Sequence, residues 1–296
     1  MNEPTKDRLR QFKPKCSFIV GFDSDGCVFD SMELKHKECI IPNIIKYYKL
    51  QSISKYAREA AEFVNLYSFW RGANRFPALV KMFELLEKRP EIGQRRFILP
   101  DVRPIQKFIG QASALGNPAL KEYISKFPDP FLSQLLLWSE SVNRSIADMV
   151  QGLPPFPYVM DSFEKIKGKA DAMVMSATPV EALQREWHEH GIDGYTGIIA
   201  GQEMGPKDEQ LKLAVQGKYP PDHILIVGDA FGDLNAARSV DAFFYPIIPG
   251  EEELSWKIFR DEIVDRFLAG KYTKKIETKY LQKFEKALPK DPPWIR

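Results

Sequence analysis

The feature that most limits how this chain can fold is a strand far from its companions. Residues 16–23, CSFIVGFD, form a short apolar run that ends on an acidic residue and a Gly-containing turn. Such a run reads as a buried, central strand of a parallel sheet. The other strand-like runs come only after residue 170, as DAMVMS (171–176), YTGIIAG (195–201), HILIVGD (223–229) and AFFYPII (242–248). Between them lies 32–153, where the spacing predicts helices from Met32 to Leu50, Ser54 to Trp70, Ala78 to Lys88, Arg103 to Ala112 and Pro130 to Val150. A connection of that length within a compact domain is not a loop, so the block is expected to be a domain of its own.

The later strands alternate with predicted helices, Pro179 to His190, Lys207 to Gln216 and Leu234 to Ser239. Alternation of that kind implies a parallel sheet with helices on both faces. The expected fold is therefore α/β, with a Rossmann-like core made of 16–31 and 154–250 and an all-helical cap inserted at 32–153. GLPPFPY (152–158) is a connecting strap, 1–15 a polar tail, and 251–296 a helical extension of two amphipathic helices.

In a parallel sheet the carboxyl ends of the strands share one edge, and ligands bind there. Four short segments stand at such ends: Asp23-Ser24-Asp25-Gly26, Ser176, Lys207 at a helix start, and Gly228-Asp229-Ala230-Phe231-Gly232-Asp233. Taken singly, each has an ordinary explanation, because Asp and Ser cap helices and a lone lysine is commonly solvated. Their joint placement, one segment to each strand end, is not ordinary. Carboxylates gathered on one edge repel without a cation, and an all-oxygen donor set suits Mg2+.

Composition narrows the function. The net charge of +2 leaves no basic surplus of the kind a nucleic-acid binder needs. The three cysteines, Cys16, Cys27 and Cys39, form no CxxC pair and no disulfide framework, which suits a cytoplasmic setting. No signal-like apolar segment opens the chain, and no run of about 18 apolar residues suggests a membrane span. His188 and His190 in Trp187-His188-Glu189-His190 lie on different helix faces, which argues against a metal pair. In the helical block, Trp70–Phe76 reads as a Gly-hinged loop whose Arg71, Asn74 and Arg75 are candidates for substrate contact.

The set of motifs resembles the haloacid dehalogenase superfamily, in particular its phosphatase branch and relatives acting on phosphoglycolate or hexose phosphates. The resemblance is carried by FIVGFDSDGCVFDSM (18–32), MVMSATP (173–179), MGPKDEQL (204–211) and VGDAFGD (227–233), with the cap at the family's insertion point. The lysine segment departs from the family in its Pro206-Lys207 order, and the cap is longer than usual. The resemblance implies Asp23 as nucleophile, Asp25 as general acid and then base, and Ser176 and Lys207 as holders of the phosphoryl group. It also implies Mg2+ bound by Asp23, the backbone carbonyl of Asp25, and Asp229, with Asp233 a further ligand or the partner of Lys207. The activity so implied is a phosphomonoesterase acting on a small phosphorylated metabolite through an aspartyl-phosphate, in a monomer or homodimer. Three alternatives stay open: a phosphomutase using the same aspartates, a non-catalytic phosphometabolite-binding regulator, and a DxD nucleotide-sugar transferase.

Overall fold

Five apolar runs pair into one parallel sheet in a computed structural model that describes residues 5–112 and 115–295. The strands are β1 (Phe18–Phe22), β2 (Ala170–Met175), β3 (Ile198–Ala200), β4 (Ile224–Gly228) and β5 (Phe243–Pro246), in the order β3-β2-β1-β4-β5. β1 is central, with Phe22 level with Val174 of β2 and Val227 of β4. The arrangement is Rossmann-like. From β1 the chain builds outward through β2 and β3, then returns to the other side of β1 for β4 and β5. That reversal beside β1 is where a doubly wound sheet opens a crevice for ligands.

Alternation along the strands sends side chains to two faces. Val20, Phe22, Val174, Leu225 and Val227 pack with Phe163, Trp187, Trp256 and Phe259. Ile19, Met173, Met175, Ile224 and Ile226 pack with Leu211, Ala236, Phe244 and Phe284. β3 is shorter than the run 195–201 suggested, because Asp193–Tyr195 close a 3-10 turn before it.

The chain divides into two compact units, one running up to Ser31 and resuming at Gly152–Leu288, the other Met32–Gln151 with the residues from Pro289 onward. In the first unit the described part of 1–15 is more than a tail, while residues 1–4 lie outside the described residues. Lys6–Arg10 form a short helix whose Leu9 is fully buried beneath the sheet. After the strap comes a helix the reading did not contain, Val159–Ile166. The segment from Glu252 to Leu268 is a helix with a π-helical middle, Phe259–Ile263, and Lys274–Ala287 is a second helix.

The second unit is helical throughout. Its first helix runs from Met32 to Tyr47 with a π-helical stretch at Lys35–Ile40, followed by Ser54–Leu66, Arg75–Glu87, Pro90–Gln94, Arg103–Gln111, Asn117–Lys126 and Pro130–Met149. They enclose a core of their own around Trp138, Phe76, Phe83 and Phe108. Among the described residues no helix is long and apolar enough to cross a membrane.

Candidate active site

β1 continues one residue past its last pair, because the Asp23 N–H donates to the Val227 carbonyl at 3.0 Å. This fixes the Asp23 backbone beside the end of β4, and its side chain is almost wholly buried. Asp229 follows the last residue of β4, and Asp233 lies in the first turn of the helix Phe231–Arg238. Gly228 makes that closeness possible, since a Cβ there would lie 2.4 Å from the Asp233 Cβ. Asp233 accepts the Ala230 N–H on Oδ2 at 3.1 Å, which satisfies a helix-end donor and locks the carboxylate inward.

Lys207 opens the helix Lys207–Val215 and reaches the same point. The turn before it needs Gly205, whose φ of +98° lies in the left-handed region. The Lys207 ammonium lies 2.8 Å from Asp23 Oδ1 and 2.7 Å from Asp233 Oδ1. Asp23 Oδ1 also accepts the Ser24 N–H at 2.8 Å, whereas Oδ2 has no hydrogen-bond partner among the described residues. Asp23 therefore has one oxygen anchored and one unengaged.

One carboxylate oxygen from each of Asp23, Asp229 and Asp233 lies within 4.8 Å of the others, and all three residues are buried. Around an octahedral magnesium ion with bonds of about 2.1 Å, oxygens stand about 3 to 4.2 Å apart, so a small contraction makes the set a ligand triad. Asp23 and Asp233 share the Lys207 ammonium, and the three carboxylates crowd one another out of water. Burial, together with the charges of Asp229 and Asp25, pushes the Asp23 carboxyl up to about 7 against the opposing pull of Lys207. Burial also raises Asp233, to about 6. Lys207 is itself buried, yet the two carboxylates hold it firmly protonated, well above the usual lysine range. A divalent cation with hard oxygen ligands fits this donor set in charge and chemistry.

Asp25 stands apart from the triad, on the turn that Gly26 (φ +74°) bends back through the Gly26 N–H to Phe29 carbonyl bond of 2.9 Å. Ser31 Oγ donates to its Oδ1, and Thr178 Oγ1 donates to its Oδ2 at 3.0 Å. Ser176 is buried at the end of β2, and its Oγ accepts the Thr178 N–H at 3.1 Å. Ser24, between the two aspartates, accepts the Trp187 indole N–H at 3.0 Å. Ser31 and Thr178 were not singled out as site residues. The only signals for them were the Asp30-Ser31 pair and the SAT tripeptide.

The three candidates of the 70–76 loop each hydrogen-bond within the helical unit. Asn74 caps the helix Arg75–Glu87, accepting the Phe76 N–H at 3.0 Å and donating to the Leu115 carbonyl at 2.9 Å. Arg75 Nη1 bonds the Ser139 carbonyl and Oγ, both at 3.1 Å, and Asn143 Oδ1 at 2.7 Å, with burial lowering its pKa to about 10. Arg71 is buried and donates to the Leu66 carbonyl at 2.9 Å. All three are joined to the frame of the helical unit.

No family model matches the chain, and no curated protein is similar to it at a significant level. Among solved structures, a candidate phosphoglycolate phosphatase from Lactobacillus delbrueckii subsp. bulgaricus is similar over 94% of this chain and 95% of its own, at 16% identity and a TM-score of 0.48. A subfamily IA haloacid dehalogenase hydrolase from Geobacter sulfurreducens matches over 78% and 88%, at 16% identity and 0.38. The magnesium-bound candidate hydrolase YfnB from Bacillus subtilis matches over 78% and 86%, at 12% identity and 0.41. The last two of these are described as haloacid dehalogenase-type hydrolases. At such identities and TM-scores the likeness says nothing of substrate or mechanism.

Proposed function

We propose that this chain is a magnesium-dependent phosphomonoesterase that acts on a small phosphorylated metabolite through an aspartyl-phosphate on Asp23. The observation that carries the reading is the asymmetry of Asp23 within its cluster. Oδ1 is held by Lys207 and the Ser24 N–H, while Oδ2 accepts no hydrogen bond among the described residues. A carboxylate is a weak nucleophile in water, but one oxygen fixed by donors and the other directed at phosphorus gives it the orientation that attack requires.

Mg2+, held by Asp23, Asp229 and the backbone carbonyl of Asp25 with Asp233 in support, would neutralise charge on the phosphoryl oxygens. Lys207 carries a permanent positive charge to the same place, and Ser176 offers a hydroxyl. Asp25, steadied by Ser31 and Thr178, gives a proton to the leaving oxygen and then takes one from water attacking the aspartyl-phosphate. The helical unit is the part of the chain left to choose the leaving group. The test is a turnover screen over phosphorylated metabolites and p-nitrophenyl phosphate with and without Mg2+. Turnover that needs Mg2+ and vanishes in Asp23→Asn supports the reading, and metal-independent turnover in that variant sinks it.

A further inference from the structure

Gln210 is fully buried in the first turns of the helix that Lys207 opens. Its amide nitrogen lies 3.0 Å from the Ser176 carbonyl oxygen, 3.0 Å from that of Gly201 and 2.8 Å from that of Gly205. These carbonyls come from three separate segments: the end of β2, the end of β3 and the turn that leads into Lys207. An amide carries two hydrogens, so three acceptors at these distances share them in a three-centre arrangement. The other end of the side chain is not satisfied, since Oε1 is buried without a hydrogen-bond partner. A residue present only to fill volume would be better made apolar, so the donor end is what the position uses.

We propose that Gln210 is a positioning residue for the phosphate-binding half of the site, holding Ser176 and Lys207 in one frame. The inference rests on the phosphomonoesterase reading above. Lys207 and Gln210 stand three residues apart and so share a helix face. Lys207 reaches out to Asp23 and Asp233, while Gln210 ties the same turn of helix back to the Ser176 backbone. Ser176 leads in turn to Thr178 and from there to Asp25. The loops after β2 and β3 are in backbone contact beside it, since a Cβ on Gly201 would lie 2.5 Å from the Thr178 carbonyl and the Gln202 N–H donates to that oxygen at 3.0 Å. Gln210 completes that contact from below, and a shift of the Ser176 carbonyl moves the hydroxyl that meets the phosphoryl group.

The test is a double-mutant cycle on p-nitrophenyl phosphate in saturating Mg2+. Gln210→Met keeps the length and removes the donor. It is expected to lower kcat roughly 10- to 100-fold, the scale of a displacement of about an ångström at a reacting group. In a Ser176→Ala background the same substitution should cost clearly less, because the hydroxyl it positions is already gone and only the Lys207 share of the loss remains. Equal losses in the two backgrounds, or none in either, overturn the proposal.

Gln210→Glu decides the matter if the Met variant does not fold. A buried carboxyl facing three carbonyl oxygens favours its protonated form, which donates one hydrogen. Its rate relative to wild type should therefore rise as pH falls, and a flat ratio overturns the proposal. If the wild-type chain shows no Mg2+-dependent turnover, the phosphomonoesterase reading fails and takes this inference with it. If wild type turns over and the Gln210 variants match it, only the inference fails.

Discussion

Both units bury charge, and they do so in opposite ways. In the helical unit Arg75 is met by neutral acceptors from Ser139 and Asn143, while Arg89 stacks 3.8 Å from the Trp294 ring centroid and pairs with the Glu59 carboxylate at 2.6 Å. At the sheet edge, Asp23, Asp229 and Asp233 crowd one point, and Lys207 is shared by Asp23 and Asp233. Matched charge builds a scaffold, whereas like charges gathered at one point against their own repulsion mark a place made for something else. Burial alone does not separate the two cases.

The sharpest way to break this comparison is Asp23→Asn. Turnover should fall below detection, while the metal-free protein melts at the same or a higher temperature, because one mutually repelling charge has been removed. A lower Tm would mean that Asp23 belongs to the scaffold. Next comes Asp25→Asn, which should cost roughly 10²-fold or more in kcat, the scale of general acid–base catalysis. An unchanged pH–rate profile would remove Asp25 from that role. Arg75→Ala reverses the pattern. It strands buried acceptors at about 1–3 kcal/mol and should lower Tm by several degrees, with kcat on p-nitrophenyl phosphate changing less than about 3-fold. An unchanged Tm would show that Arg75 is not part of the frame of the helical unit.

The smallest expected effect concerns protons and metal at the triad. Asp23 and Asp233 stand above their ordinary values in the metal-free protein, at about 7 and about 6. The folded state therefore binds more protons than the unfolded one. The stability this brings is fully present below the unfolded carboxylate value and is lost as pH rises through 6 to 7. Mg2+ needs the same oxygens deprotonated. The Tm gain on adding saturating Mg2+ should thus be larger near pH 8 than near pH 5, as differential scanning calorimetry would show. An equal gain at both would place the metal elsewhere.

The parallel sheet was readable because buried strands are short apolar runs, and the edge residues because each follows such a run directly. Position in the sequence points to Asp23, Lys207, Asp229 and Asp233, and the fold sets oxygens of the three aspartates within 4.8 Å of one another with Lys207 against Asp23 and Asp233. What position does not reveal is a partner from another segment. Gln210 looks like any polar helix residue until three carbonyls from distant turns are seen around its nitrogen. In the loop at 70–76, Asn74 stands two residues before Phe76 with the signal of a helix cap, and it caps the helix Arg75–Glu87. The helix Asn117–Lys126 is not among the predicted helices, although proline in a first turn, here Pro118, marks a beginning. In the segment Lys6–Arg10, one apolar residue among charges gives no periodicity, yet Leu9 is fully buried.

The helix Lys274–Ala287 also governs what the sheet can do beyond its last strand. β5 is an edge, and an edge is an invitation for a strand from another molecule. Here the invitation is withdrawn group by group. The Glu277 carboxylate takes the Phe244 N–H at 2.7 Å, and Tyr272 donates to the Phe244 carbonyl at 2.9 Å. Arg238 and Lys274 occupy the Ala242 carbonyl at 3.2 and 3.4 Å, and Pro246 brings no N–H at all. The segment 251–296, which reads in the sequence as an extension of two amphipathic helices, therefore occupies backbone groups of Ala242 and Phe244 that a further strand would need.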